Sequence, residues 1–300
     1  MKEKKVGDGS TKKCKLLVWI TEFIILILVA YVYKKYVWVW DAFDYWNRGE
    51  NLKNEMFDIS NIDGFRGYIY ILFLGFTNLV GGKSAWIVIN AMLISFCQTF
   101  FIYSVGTDLE YNKKDFVRIL CANWITIILF WGLFGYPLSD LFALMCCCCS
   151  AYYIRKSIEC HDKCCYLYLI LGGVFGYWAY NTRTIYLFAG IALFILYQIM
   201  SFYEERVSII KLLVIEARSL LFIFGCVVAS IPQMIMNYDN EGKISMGVPT
   251  DGLMLQQMSW GIKVQRYDTY LFMDISDGHP TPCVFFFGSI RNEDVERATN

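Results

Sequence analysis

Residues 16–33 read LLVWITEFIILILVAYVY, and this stretch decides the fold. The run contains one charged residue, Glu22, and it follows a lysine-rich segment at residues 1–15. Apolar runs of about 18–20 residues match the hydrocarbon core of a bilayer. A basic flank favours the cytoplasmic side. Bulky Tyr31 and Tyr33, rather than a small-residue cleavage site, end the run. We therefore interpret it as an uncleaved first membrane span with a cytoplasmic N-terminus.

The remainder of the chain repeats this apolar character. Overall it is 57% hydrophobic and 18% aromatic, with a mean hydropathy of +0.42. Further apolar runs lie at about 85–107, 116–135, 139–155, 165–180, 185–202 and 217–236. The sequence thus predicts an all-α polytopic protein of the cell membrane with about seven transmembrane helices. We expect a transmembrane domain at 16–236, a first outer loop at 34–84 and an extracytoplasmic tail at 237–300.

One apolar segment, residues 67–81, is too short to be counted as a crossing. At 1.5 Å per residue it extends about 22 Å, against a hydrocarbon core of about 30 Å. We interpret it as a re-entrant or interfacial helix. With seven crossings every cytoplasmic segment carries Lys or Arg, whereas the short outer turns at 135–140 and 180–184 carry none and one, which matches the positive-inside rule. Lys34 and Lys35 are exceptions, since they fall just outside the first span.

Composition also limits the cofactors and partners. Most of the 12 cysteines lie in apolar runs or predicted cytoplasmic segments, so we expect no disulfide framework. Residues 160–165 (CHDKCC) lack the second ligand pair of a structural zinc site. We expect no metal or organic cofactor. The formal net charge is zero and gives no sign of nucleic-acid binding, so the expected surroundings are the lipid bilayer.

Residues 40–46 (WDAFDYW) place two carboxylates among aromatic side chains just after the first span. In a helix Asp41 and Asp44 would share one face, because they are three residues apart. Aromatic residues favour the membrane–water boundary. The motif therefore suits chemistry on a lipid-linked substrate. The alternative is a solvated loop in which the aromatic residues serve only as interface anchors.

Two more ionisable residues lie at predicted outer span ends, where such groups are costly and usually functional. Arg183 could bind a phosphate or could only snorkel to the headgroups. Asp140 could join the site or could only cap its helix. Glu22, inside the first span, is interpreted as a packed polar contact. The aromatic stripe at residues 175–178 is expected to pack against lipid.

The order of these elements resembles the membrane glycosyltransferases of the GT-C fold, closest to the dolichyl-phosphate-mannose mannosyltransferase-like branch. Members carry an aspartate in the first outer loop and a tyrosine four residues later, a pattern matched by Asp41 and Tyr45, with Gly49 at the following small position. Residues 136–141 (YPLSDL) and 181–183 (NTR) look like the outer turns before span 4 and after span 5. The likeness covers about residues 16–236.

The resemblance implies transfer of a sugar, with inversion, from a polyprenyl-phosphate carrier to a glycan, lipid or protein acceptor outside the cytoplasm. It implies Asp41 as general base, with Asp44 as the reserve base or an orienting residue. Arg183 and Arg66 would contact the phosphate, and Tyr45 and Asp140 would line the substrate site. Family members continue with further spans, so the chain is expected to be C-terminally incomplete. The alternatives are a transporter or lipid-carrier flippase, and an inactive truncated membrane protein.

Overall fold

A computed structural model describes residues 8–32, 40–62, 66–106, 121, 124–125, 137–160, 162–204 and 209–249. These residues form α-helices and one short 3₁₀ helix, without strands, so the all-α prediction is confirmed for the described part of the chain. The helices are α1 (Asp8–Val32), α2 (Trp40–Asn54), α3 (Tyr68–Val80), α4 (Gly82–Gly106), α5 (Ser139–Glu159), α6 (Cys164–Thr182), α7 (Tyr186–Glu204) and α8 (Ile209–Glu241); the 3₁₀ helix is Ile59–Asn61.

Among the described residues, two helical segments are long and apolar enough to cross a membrane, Ser139–Glu159 and Glu216–Glu241. Shorter apolar helices occupy Leu16–Tyr31, Tyr68–Val80 and Tyr186–Ser201. These segments indicate association with a membrane, while the count of seven crossings stays a prediction. Most of the predicted span at 116–135 lies outside the described residues.

Side-chain contacts fix the relative directions of the helices. Ser150 Oγ donates to the carbonyl of Gly172 at 2.7 Å, and Asp140 pairs with Arg183. These residues lie in opposite order along α5 and α6, so the two helices run antiparallel. The start of α5 and the end of α6 therefore meet at one end of the bundle. We call this the site end.

α8 runs in the same direction as α6. Cys226 Sγ lies 3.3 Å from the carbonyl of Gly173, and Asn181 Nδ2 donates to Gln233 Oε1 at 2.7 Å. Because both pairs keep the same order along the two helices, the C-terminal part of α8 also lies at the site end. Pro232 lies within α8, just before Gln233.

α4 starts at the site end too. The side chain of Trp86, near the start of α4, interacts with the hydroxyl of Tyr70. The ring of Tyr70 lies 5.3 Å from that of Phe142 near the start of α5. Farther along both helices, the sulfur of Cys97 lies 3.6 Å from that of Cys149. α4 and α5 therefore run side by side in one direction.

α2 lies across α3 at a close contact that needs a glycine. A Cβ atom built on Gly49 would lie 2.6 Å from the Cβ of Leu74 and 3.0 Å from the amide nitrogen of Gly75. No side chain fits at that distance, so Gly49 lets the two backbones approach. This contact fixes the position of the polar helix α2 on the apolar helix α3.

The end of α2 is closed by a Schellman motif, in which backbone amides beyond the helix bond to its last carbonyls. The amide of Phe57 donates to the carbonyl of Leu52 at 2.8 Å, and that of Met56 to Lys53 at 3.3 Å. The motif needs a residue in the left-handed conformation just after the helix, and this residue is usually glycine. Here Met56 adopts that conformation, with φ 54°. Phe57 follows with φ 63° and packs against Gly75.

Two predictions about interior residues have opposite outcomes. Glu22 is fully buried and accepts a hydrogen bond from Thr99 Oγ1 at 3.3 Å, so its interpretation as a packed polar contact is confirmed. The lipid-facing interpretation of the aromatic stripe is wrong for two members. Tyr177 is buried and donates to the carbonyl of Met246, and Trp178 Nε1 donates to the hydroxyl of Tyr68.

The helix α8 extends beyond residue 236, where the last span was predicted to end. α8 continues to Glu241, because Asn237 and Asn240 still have partners inside the fold. The chain then turns at Gly242, which has φ 67°, and the backbone carbonyls of Ser245, Met246 and Gly247 accept hydrogen bonds from side chains of α6 and α8. Residues 250–300 of the predicted tail lie outside the described residues.

Candidate functional site

Asp44 lies on α2 between two arginines. Arg48 Nε donates to Asp44 Oδ1 at 2.8 Å, one helical turn away. Arg66 Nε lies 3.4 Å from Asp44 Oδ2 and reaches it from the segment before α3. Both arginine side chains are less exposed than the carboxylate. The predicted site residues Asp44 and Arg66 are therefore brought together, as an ion pair rather than as separate ligand contacts.

Arg66 also covers the ring of Tyr45. Its guanidinium carbon lies 4.7 Å from the ring centroid, and Nη1 lies 3.4 Å from the tyrosine hydroxyl. Tyr45 is buried, and its ring makes an edge contact with Tyr70 at 5.1 Å. A cation over an aromatic face is stabilised by the ring quadrupole. The ring face of Tyr45 thus orients the Arg66 guanidinium, and its contact with Tyr70 connects α2 to α3.

Asp140 and Arg183 form an ion pair across the start of α5 and the end of α6. The capping alternative for Asp140 is wrong, because the N-cap position of α5 is Leu138 and no side chain caps it. Arg183 is 32% exposed. The Nε of Arg183 is buried and has no hydrogen-bond partner among the residues that the structure describes. The same holds for the hydroxyl of Ser139, the residue before Asp140.

Tyr70 lies between these two charged groups. It is fully buried, its ring contacts Tyr45, and the charges of Asp140 and Arg183 both act on its hydroxyl. The sequence analysis did not single it out, because a tyrosine in an apolar helix carries no distinctive pattern. Its position shows that the charged groups on α2, α5 and α6 surround one aromatic centre at the site end.

A chain of buried amide side chains supports this end of the bundle. Asn181 Oδ1 accepts from the backbone amide of Ile69 at 3.1 Å, and Asn181 Nδ2 donates to Gln233 Oε1 at 2.7 Å. Gln233 Nε2 then donates to Asn237 Oδ1 at 2.9 Å. The three amide residues are at most 1% exposed. They satisfy one another in sequence, so none is left as a costly unpaired buried group.

The amide chain ends in the segment after α8. Asn237 Nδ2 donates to the carbonyls of Ser245 and Gly247, both at 2.8 Å. Four separate segments are therefore tied together by one continuous hydrogen-bond path. The sequence analysis missed Gln233 and Asn237. The available signal was two amides four residues apart in an otherwise apolar span, which is unusual where polar groups need partners.

Gly67 allows the start of α3 to reach Asn181. A Cβ atom built on Gly67 would lie 1.8 Å from the carbonyl oxygen of Asn181 and 2.6 Å from its Oδ1. The close approach gives the Ile69 amide, in the first turn of α3, an acceptor that the helix itself cannot supply. Arg66, the residue before Gly67, is consequently held over the ring of Tyr45.

An apolar groove of about 460 Å³ opens beside the Asp140–Arg183 pair, between α6, α7 and α8. Its lining is aromatic and aliphatic, with residues including Tyr177, Tyr180, Tyr186, Phe194, Phe222 and Met246. Tyr186 joins the groove to the charged pair: its amide donates to the Arg183 carbonyl at 3.0 Å, and the charges of Asp140 and Arg183 act on its hydroxyl. Arg183 itself does not line the groove, but it lies three residues before Tyr186, which does.

Asp41 lies in α2, so the stretch that carries both carboxylates is helical, as the one-face argument requires. Its side chain falls outside the described residues. The helix places Asp41 three residues before Asp44 and four before Tyr45.

No protein-family model, curated protein or solved structure matches this chain. The part of the chain that the structure describes is helical, contains two membrane-capable helices and carries a charged, aromatic cluster at one end of the bundle.

Proposed function

We propose that this chain is a membrane glycosyltransferase that moves a sugar from a polyprenyl-phosphate carrier to an extracytoplasmic acceptor with inversion. The observation that carries the proposal is the apolar groove whose lining residue Tyr186 lies three residues from Arg183. Such a groove suits an isoprenoid chain, and a nearby guanidinium suits the phosphate to which that chain is attached. The Nε of Arg183, which is buried and has no partner within the described part of the chain, supplies a donor for a phosphate oxygen.

The two carboxylates of α2, Asp41 and Asp44, are assigned different roles. Both oxygens of Asp44 face guanidinium groups, one that of Arg48 and the other that of Arg66. We therefore assign Asp44 an orienting role, in which it holds Arg66 against Tyr45. Asp41, on the same helix, is the proposed general base. This assignment also agrees with the Asp–Tyr spacing of the family that the sequence resembles.

In the proposed reaction, an acceptor hydroxyl attacks C1 of the sugar and Asp41 takes its proton. The bond between C1 and the phosphate oxygen breaks as the new glycosidic bond forms, which inverts the anomeric carbon. The transition state resembles an oxocarbenium ion and is stabilised by nearby negative charge. The phosphate leaves as an anion, and Arg183 stabilises the charge that develops on it. Asp140 holds Arg183 in position before the donor binds.

The test is transfer of label from a radiolabelled polyprenyl-phosphate sugar by the full chain in its membranes. Asp41→Asn should lower transfer about 10²–10⁴-fold, the usual contribution of a general base. Arg183→Ala should raise KM for the donor. Glu50→Gln is the matched control, because Glu50 is an exposed carboxylate on the same helix. Transfer is expected to persist in excess chelator.

Near wild-type transfer by Asp41→Asn would refute the base assignment. Equal losses in Asp41→Asn and Glu50→Gln would show that any change of charge on α2 disturbs the protein. Absence of donor turnover in the wild type, with donor still bound, would refute the glycosyltransferase itself.

A lipid-carrier flippase is the second candidate, favoured by one observation. Buried amides follow Pro232 within α8, and polar groups near interrupted helices mark the substrate path of many transporters. Flipping would move a fluorescent polyprenyl-phosphate lipid between leaflets of a proteoliposome without releasing the sugar. Glycosyl transfer would consume the donor without moving it. The two readouts separate the candidates in one preparation.

A further inference from the structure

A second, polar pocket of about 250 Å³ lies at α2 and shares no lining residue with the apolar groove. It is lined by Asp44, Asn47, Arg48, Asn51, Leu52, Glu55 and Ile62. This volume is slightly below the range of about 300–1,000 Å³ for small-molecule sites, so the pocket fits one compact ligand rather than a long one.

The walls of the pocket are hydrogen-bonding groups at helical spacing. Asn47, Asn51 and Glu55 are each four residues apart and therefore follow one face of α2 and its end. Within the described residues, these three side chains make no hydrogen bond or ion pair. An amide supplies both donors and acceptors, and a carboxylate supplies acceptors only. Such walls match the mixed donors and acceptors of neighbouring hydroxyl groups.

The floor of the pocket is apolar and held in place. Leu52 and Ile62 are buried, and the carbonyl of Ile62 accepts a hydrogen bond from Asn240 of α8 at 3.0 Å. The turn before Ile62 is set by Asp58, whose carboxylate accepts from the hydroxyl of Ser60 at 2.7 Å and from its amide at 3.0 Å. These hydrogen bonds hold the pKa of Asp58 below its ordinary value.

The charges of the pocket argue against an anionic ligand. Its lining holds two carboxylates, Asp44 and Glu55, and one guanidinium, Arg48, which is already bonded to Asp44. A phosphate or carboxylate would meet more negative than positive charge. A neutral, hydroxyl-rich ring has no such penalty: its C–H face can cover Leu52 and Ile62 while its hydroxyls meet the polar walls.

We propose that this pocket binds a single neutral pyranose of the acceptor, so that the acceptor is a saccharide rather than a protein or a lipid headgroup. The inference rests on the proposed function and deepens it. Asp44 connects the two regions, since one carboxylate oxygen faces Arg48 in the pocket and the other faces Arg66 beside Tyr45. A sugar held there is seated on the helix that carries the proposed base, Asp41.

Binding is tested directly, without any transfer step. The full chain in nanodiscs is mixed with methyl α-mannopyranoside, methyl β-glucopyranoside or methyl β-galactopyranoside, and saturation-transfer NMR reports which ring protons touch the protein. At least one glycoside should bind, and Asn51→Ala should weaken its binding at least tenfold. Asn54→Ala is the matched control, because Asn54 is an exposed asparagine on α2 that does not line the pocket.

Both Asn51 and Asn54 are exposed, so neither substitution should prevent folding. The proposal is overturned if no glycoside binds the wild type, or if Asn51→Ala and Asn54→Ala bind alike. A failure of the proposed function alone would give a different result. The wild type would still bind the glycoside in an Asn51-dependent way, but it would consume no donor in the transfer assay.

Discussion

Replacing Asn181 by alanine should destabilise the protein far more than the loss of one polar side chain at a helix end. The substitution breaks the hydrogen bonds of the Asn181 amide to the Ile69 amide, at 3.1 Å, and to Gln233 Oε1, at 2.7 Å. Both partners are buried, so water cannot replace the lost contacts.

The size of the destabilisation follows from the two groups left without a partner, the Ile69 amide and Gln233 Oε1. A buried donor or acceptor left without a partner costs about 1–3 kcal/mol, so Asn181→Ala should lower the free energy of unfolding by about 2–6 kcal/mol. This is a large part of a typical total of about 5–15 kcal/mol.

The assay is equilibrium unfolding of the purified protein in mixed micelles, titrated with SDS and followed by tryptophan fluorescence. Gln233→Ala and the double variant complete a double-mutant cycle. Because the two residues share one hydrogen bond, the loss in the double variant should fall short of the sum by at least about 1 kcal/mol. Asn78→Ala is the control, since the Asn78 amide nitrogen is buried without a partner among the described residues.

Two results would refute the amide chain. One is strict additivity of Asn181→Ala and Gln233→Ala. The other is a loss for Asn181→Ala no larger than that for Asn78→Ala.

Three further predictions use the same preparation or whole cells. Met56→Gly should raise the free energy of unfolding by about 0.5–1 kcal/mol, because Met56 is left-handed and its side chain is 92% exposed; an equal gain from Met56→Ala would contradict this cause. Gly67→Ala should cost about 1–3 kcal/mol or more by collision with Asn181, whereas Gly190→Ala, with nothing within 4 Å, should be neutral or stabilising; equal effects would refute the collision. In variants keeping a single cysteine, an impermeant maleimide should label Cys283 in intact cells but Cys164 only after permeabilisation; the reverse pattern would invert the proposed topology.

The helices could be predicted from the sequence because each apolar run is long and bounded by polar residues. Residues 67–81 and 185–202 correspond closely to α3 and α7. The end of α8 could not be placed, because its last turn is polar and is held by tertiary contacts of Asn237 and Asn240. Hydropathy reports how a segment suits lipid and carries no information on such contacts.

The candidate site was only partly predictable. The charged residues stood out because ionisable groups near spans are rare, and the structure brings Asp44 to Arg66 and Asp140 to Arg183. Their pairing was not predictable, because each pair joins segments distant in sequence. Tyr70 was missed for the same reason, since its role comes from neighbours on other helices.

The contacts at the start of α3 determine when this helix can reach its final position during synthesis. The Ile69 amide finds its acceptor 112 residues later, and the Tyr68 hydroxyl donates to the Ala229 carbonyl 161 residues later. At a synthesis rate of about 5–20 residues per second, α3 waits about 8–32 s for α8 to be made. A helix start with unpaired amides is poorly accommodated in hydrocarbon, so α3 should stay at the membrane surface until the late helices arrive. Stalling translation before α8 should therefore leave α3 accessible to protease.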